Sequence, residues 1–197
     1  MTAKFQTREE WLVASVEALT PLFEELGETV PAVRVSVGWP GGNGRKNSVI
    51  GQCWSTKVAA DSVSQLFISP VLDDAVRVLD VLAHELIHAI DDCASGHKGR
   101  FAKIAKALGL TGKMTATVAG DDLKAKLEEI AAELGEYPHA AISSGAQGAD
   151  GPKKQTTRMM KVECADGSGY KARMTRQWLA DFGAPICPCH EERMIEA

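Results

Sequence analysis

The chain has 197 residues, 45% apolar and 24% charged, and its 22 lysines and arginines face 26 acids for a net charge of −4. That length allows one or two domains with a real core and excludes a wholly disordered chain. The mild excess of acid excludes a protein that grips nucleic acid over its whole surface, and no apolar run approaches the ~18 residues of a membrane span.

Residues 8–26 read as a first helix: Trp11, Leu12, Ser15, Val16, Leu19, Leu22, Phe23 and Leu26 keep helical spacing, with Pro21 as an interruption and Gly27 as the stop. Residues 33–37 alternate apolar and polar, as a half-buried strand does, and 40–44 form a Pro-Gly loop. Two more short strands are expected at 49–55 and 65–69. A long helix then spans 70–92, with Ser69 as its cap, Pro70 in the first position, and Asp73 and Asp74 at the positive end of the dipole. Leu72, Val76, Leu79, Ala83, Leu86 and Ile90 make its buried stripe. A turn at 94–96 leads into a helix at 98–108, and a further amphipathic helix covers 121–134. Residues 143–157 shift to Ser, Gly, Ala, Gln and Lys and read as a flexible linker. The expected organisation is an α+β domain at 1–142 with a small three-stranded sheet and flanking helices, the linker at 143–157, and a small module at 158–197.

The first ten residues lack the apolar core of a signal peptide. With an odd count of five cysteines, the expectation is a cytoplasmic protein whose thiols bind metal or stay free.

The strongest signal is His84-Glu85-Leu86-Ile87-His88, an HExxH pattern inside the long helix. Histidines four apart sit ~40° apart around a helix, one turn displaced, so both can reach one metal ion. Glu85 lies at the rim of that face, placed to take a proton from water rather than to ligate. His97 follows beyond a Ser-Gly turn that lets the next helix fold back. Three histidines and an open fourth position describe a catalytic zinc site, and the reaction class that follows is amide hydrolysis with Glu85 as general base. Asp80 and Asp91 flank the histidines on roughly the same face, each either an imidazole partner or a solvated helix acid. Cys93 reads as a small buried residue. No oxyanion donor stands out.

In the tail, Cys187-Pro188-Cys189-His190 clusters metal-ligand types, with Cys164 upstream. Two facing knuckles make a zinc ribbon, and a module this small folds poorly without a staple. The first knuckle offers one Cys, with Gly167 and Ser168 where a second thiolate belongs. Cys164, Cys187, Cys189 and His190 are the candidate second metal set. The other reading is a degenerate ribbon held by Val162, Tyr170, Trp178 and Leu179. Between Pro152 and Trp178 stand seven basic residues and two acids, interleaved with Tyr170 and Trp178. That suits phosphate contact and base stacking, or a solvated tail.

The HExxH motif followed by Gly96-His97 and Phe101 resembles the SprT-like zinc metalloproteases, which include the Spartan proteases that act on DNA–protein crosslinks. Gly51-Gln52-Cys53 and Ile68-Ser69-Pro70 look like that family's strands before the active helix, and Cys164 through Cys189 looks like its C-terminal zinc ribbon. The chain looks most similar to the short versions carried by bacteriophages, which would place it in a host cytoplasm. The resemblance covers roughly residues 30–110 and 160–190. It implies a zincin-like fold, His84, His88 and His97 as Zn2+ ligands, and Glu85 as catalytic acid/base. The expected function is a zinc metallopeptidase acting on DNA-associated proteins, with DNA recruited through the basic tail and no membrane partner. The alternative is a non-catalytic zinc-binding adaptor for nucleic acid or a transcription complex.

Overall fold

A capping box opens the first helix, α1 (Arg8–Glu24): the Glu10 N–H donates to Thr7 Oγ1, and the Thr7 N–H donates back to the Glu10 carboxylate, both at 3.2 Å. The helix runs through Pro21 and stops just before Gly27, which takes a left-handed conformation. The computed structural model describes residues 4–38, 49–142 and 159–197. The expected loop at 40–44 and the expected linker at 143–157 lie outside them. The chain divides into two units, 1–146 and 147–197.

In the first unit β1 (Val33–Val37) pairs in parallel with β3 (Ser64–Ile68), and β2 (Gly51–Trp54) pairs antiparallel on the other side of β3. Val35 and Cys53 both align with Leu66. Alternation along β3 buries Ser64, Leu66 and Ile68 on one face.

The central helix is α2 (Ala75–Ile90), and here the sequence expectation is corrected. The helix starts at Ala75, not Pro70, and its cap is Asp74, whose carboxylate accepts the Arg77 N–H at 2.7 Å. The Pro70 carbonyl is instead engaged from far along the chain, by the Ile142 N–H at 2.8 Å and by His139 Nε2 at 2.9 Å. That long-range tie holds 69–73 as a connection. α2 is buried on nearly every side, from Val78 through Ala89 with His84 alone half-buried, so it is a core helix rather than a surface one.

Next come α3 (Gly99–Leu108), closed by the left-handed Gly109, and a hairpin of β4 (Leu110–Lys113) and β5 (Ala116–Ala119) that the sequence reading did not anticipate. The last helix, α4 (Asp121–Leu134), falls where its periodicity put it. Trp11, Leu12, Leu19 and Phe23 of α1 meet Leu66, Ile68, Leu79, Leu82, Leu86 and Phe101 in one continuous core. Each such fully buried side chain contributes about 1.5–3 kcal/mol. This unit can support its own fold.

The second unit is slighter. β6 (Met159–Glu163) lies between β7 (Lys171–Thr175) and the short β8 (Ile195–Glu196), and α5 (Arg176–Phe182) follows β7 directly, capped by Thr175. Among the described residues its buried core holds Val162, Cys164, Cys187 and Met194. Among the described residues no helix is long and apolar enough to cross a membrane.

Candidate metal centre

α2 presents His84 and His88 one turn apart, and the chain then reverses sharply. Asp92 and Cys93 both take positive φ, 47° and 56°, and Gly96 follows at 55°. Two successive non-glycine residues in the left-handed region are costly and need support. Asp91 gives it: its carboxylate accepts the Ser95 N–H at 2.6 Å and the Ser95 hydroxyl at 3.0 Å. The reversal swings His97 back over the helix. His97 Nε2 then lies 3.3 Å from His84 Nε2 and 3.2 Å from His88 Nε2. A tetrahedral ion with Zn–N bonds of ~2.0–2.1 Å separates its nitrogen ligands by ~3.3 Å. His97 stands at that spacing from both His84 and His88, all three donor atoms lie within 4.8 Å of one another, and the group could hold a metal ion.

Phe101, the fully buried first-turn residue of α3, forms a floor under all three rings, with centroids 4.9, 4.3 and 5.1 Å from His84, His88 and His97. The far side of His84 is held by Thr117 of β5, whose Oγ1 lies 2.8 Å from Nδ1. A metal on Nε2 would leave the proton on Nδ1, which would then donate to that hydroxyl. Thr117 is thus the imidazole partner, and neither flanking aspartate is. Asp80 pairs with Arg77, one turn back on α2, and Asp91 is spent on the Ser95 turn. Burial, helped by the neighbouring imidazoles, pushes His84 down to about 3, and burial pushes His88 down to about 4 and His97 down as well. All three are neutral near pH 7, the form that ligates.

Glu85 is 5% exposed, and burial raises its carboxyl to about 8. The opposite wall explains how it fits. A Cβ on Gly51 of β2 would collide with Glu85 Oε1 and come within 2.7 Å of Val81 Cγ1. The glycine is required by close approach of strand to helix, not by its dihedral angles. Beside it, Gln52 Oε1 is buried with no hydrogen-bond partner.

These residues surround a cleft of about 640 Å³. β2 forms one wall, the β4–β5 turn at Thr115–Thr117 another, α2 the base, and the Cys93–His97 turn the end. Cys93, expected to be a small buried residue, is half-buried. It lines the cleft with Cys53, and the two sulfurs lie 3.5 Å apart. Sequence reasoning reached Glu85 and the three histidines from spacing alone. It missed Thr117 and the cysteine pair, which only tertiary structure brings to the site.

In the second unit, two tight turns face each other. The Gly167 N–H donates to the Cys164 carbonyl, and the Glu191 N–H to the Cys187 carbonyl at 2.9 Å. Cys164, Cys187 and His190 come together, with Cys164 Sγ 3.3 Å from His190 Nδ1, and this group could hold a metal ion. Ser168, where the sequence reading expected a second thiolate, hydrogen-bonds Cys164. Its hydrogen bond pulls the Cys164 thiol down to about 6. Cys189, expected in the same set, is exposed and is not among these clustered donors. Its neighbour His190 has turned toward Cys164 instead.

No family model, curated protein or solved structure matches the chain.

Proposed function

We propose that the chain is a zinc-dependent metallopeptidase of SprT-like character, cleaving peptide bonds in proteins associated with DNA. The observation that carries this reading is the pairing of three neutral imidazoles, their donor atoms within 4.8 Å of one another, with a buried Glu85 in the same cleft. His84, His88 and His97 fit a zinc ion by donor type and spacing. Bound there, zinc would supply Lewis acidity, lowering the pKa of water toward about 7 and polarising a carbonyl.

The remaining chemistry belongs to the chain itself. Glu85 takes a proton from water and passes it to the leaving amine. Burial holds its pKa near neutrality, where a residue serves best as both base and acid. Metal binding alone would not need an acid at that position. β2 is the edge of its sheet beside the cleft, so an extended peptide could lie against it by strand addition. Thr117 supplies the hydrogen-bond partner on the far side of His84, and Phe101 packs against all three rings.

In the second unit Lys161, Lys171, Arg173 and Arg176 accompany exposed Tyr170 and Trp178. That combination supports phosphate contact with base stacking, and hence recruitment to DNA.

The test is Glu85→Gln, which keeps the shape but cannot take a proton. Zinc content and folding survive, while cleavage of casein or a histone, measured with and without single-stranded DNA, falls 10²–10⁴-fold. Equal cleavage by both proteins points to a contaminant. No cleavage by zinc-loaded wild type favours the adaptor.

A further inference from the structure

Cys53 and Cys93 are 40 residues apart in sequence and belong to different elements. Cys53 sits on the edge strand β2, paired with Leu66 of β3. Cys93 sits in the left-handed turn after α2. The turn aims Cys93 at the strand: its Sγ lies 3.5 Å from Cys53 Sγ and 3.6 Å from the Cys53 carbonyl oxygen. Both thiols are free, half-buried, and open onto the 640 Å³ cleft. Neither belongs to the imidazole cluster. Two sulfurs already in contact need move by only about 1.5 Å to reach the ~2.05 Å of a disulfide bond. The cleft gives a small oxidant access to them.

We propose that Cys53 and Cys93 are a reversible dithiol–disulfide site, oxidised by hydroperoxides that enter the cleft. One thiolate attacks the peroxide, the O–O bond breaks, and a sulfenic acid forms as hydroxide or alkoxide leaves and takes up a proton. The second thiol attacks that sulfur, the S–O bond breaks, and water leaves. In sum two thiols lose two electrons and two protons, and the peroxide is reduced to water and an alcohol, or to two waters from hydrogen peroxide. The bond would tie the edge strand to the turn that carries His97, without using any zinc ligand.

The experiment treats the zinc-loaded full chain with hydrogen peroxide, blocks remaining thiols with N-ethylmaleimide, and maps the digest by mass spectrometry without reduction. The expected product is one cross-linked peptide pair containing Cys53 and Cys93, two hydrogens lighter than the dithiol and restored by dithiothreitol. Two of the five thiols are lost to titration, and zinc content is unchanged. Amide exchange across Gly51–Trp54 slows in the oxidised protein. Cys53→Ser abolishes the cross-link and leaves Cys93 to proceed to sulfinic acid. If that variant does not fold, the wild-type map stands alone. Recovery of Cys53 and Cys93 on separate peptides, alkylated or over-oxidised, overturns the proposal. So does pairing of either one with Cys164, Cys187 or Cys189.

Discussion

The two candidate metal groups stand on very different foundations. The histidine group rests on a helix buried nearly all round, within a core that includes Trp11, Phe23, Leu82, Leu86 and Phe101. The three imidazoles are not part of that apolar core, which packs around Phe101 beneath them. In the second unit, by contrast, Cys164 and Cys187 are themselves two of the four buried core residues among those described. On the proposed function, a metal held by the first group serves chemistry. A metal held by the second has a fold to hold. The same donor types therefore answer to different physics, depending on how much apolar surface surrounds them.

Metal removal separates the two most strongly. Structural zinc contributes ~10–16 kcal/mol of apparent binding free energy at neutral pH, and that energy is folding energy where the core is minimal. With a strong chelator, or in Cys164→Ser, amide protection should vanish across β6–β8 while α1, α2 and α4 keep theirs. Hydrogen exchange read by mass spectrometry checks this on the full chain. Equal retention in both units would erase the contrast.

Next in size is the support behind the first group. Thr117→Val keeps the shape of the side chain but removes the acceptor for His84 Nδ1. Loss of such a partner typically costs 10- to 100-fold in metal affinity, measurable by competition with a chromogenic chelator, while thermal stability of the unit changes little. No change in affinity would mean that packing against Phe101 alone orients the ring.

The smallest effect is a pH dependence confined to the metal-free first unit. In the unfolded chain His84 and His88 take up protons below about 6.5, whereas in the fold they stay neutral until about 3 and 4. The unfolded state then binds more protons, so stability is full above 6.5 and declines as pH falls toward 4. Glu85 acts in the opposite sense. Its folded form keeps a proton up to about 8 that the unfolded chain releases above 4.5, so its contribution declines as pH rises through that window. Denaturant midpoints at pH 5, 6.5 and 8 should be highest near the middle value. A flat profile would show that the imidazoles are better solvated than their burial implies.

What was legible in the sequence follows from range. α4 was readable because its apolar period and its acidic first turn are contained within its own residues. The HExxH helix and the Gly96–His97 turn were readable because the ligands lie within fourteen residues of one another. The start of α2 was misplaced because Pro70 obeys the local rule for a first helical residue, yet its carbonyl is claimed by His139 and Ile142. The β4–β5 hairpin was missed because Leu110–Ala119 is mostly small and polar residues, with no clean alternation to mark strands. Thr117 was lost with it. In the same way, nothing near Cys53 announces Cys93.

Gly51 has a consequence for anyone who would transplant this site. The HExxH helix is portable, since its pattern and its helical propensity travel together. The carboxylate's proton affinity is not portable, because it depends on a strand pressed against Glu85 at a residue with no side chain. Grafted onto a scaffold whose facing strand carries an alanine there, the helix would be pushed outward and water would reach the acid. The graft would keep His84 and His88 on one face, but its glutamate would lose part of the burial that raises its proton affinity. In such a graft the missing methyl on the opposite wall is as much a design parameter as the motif itself.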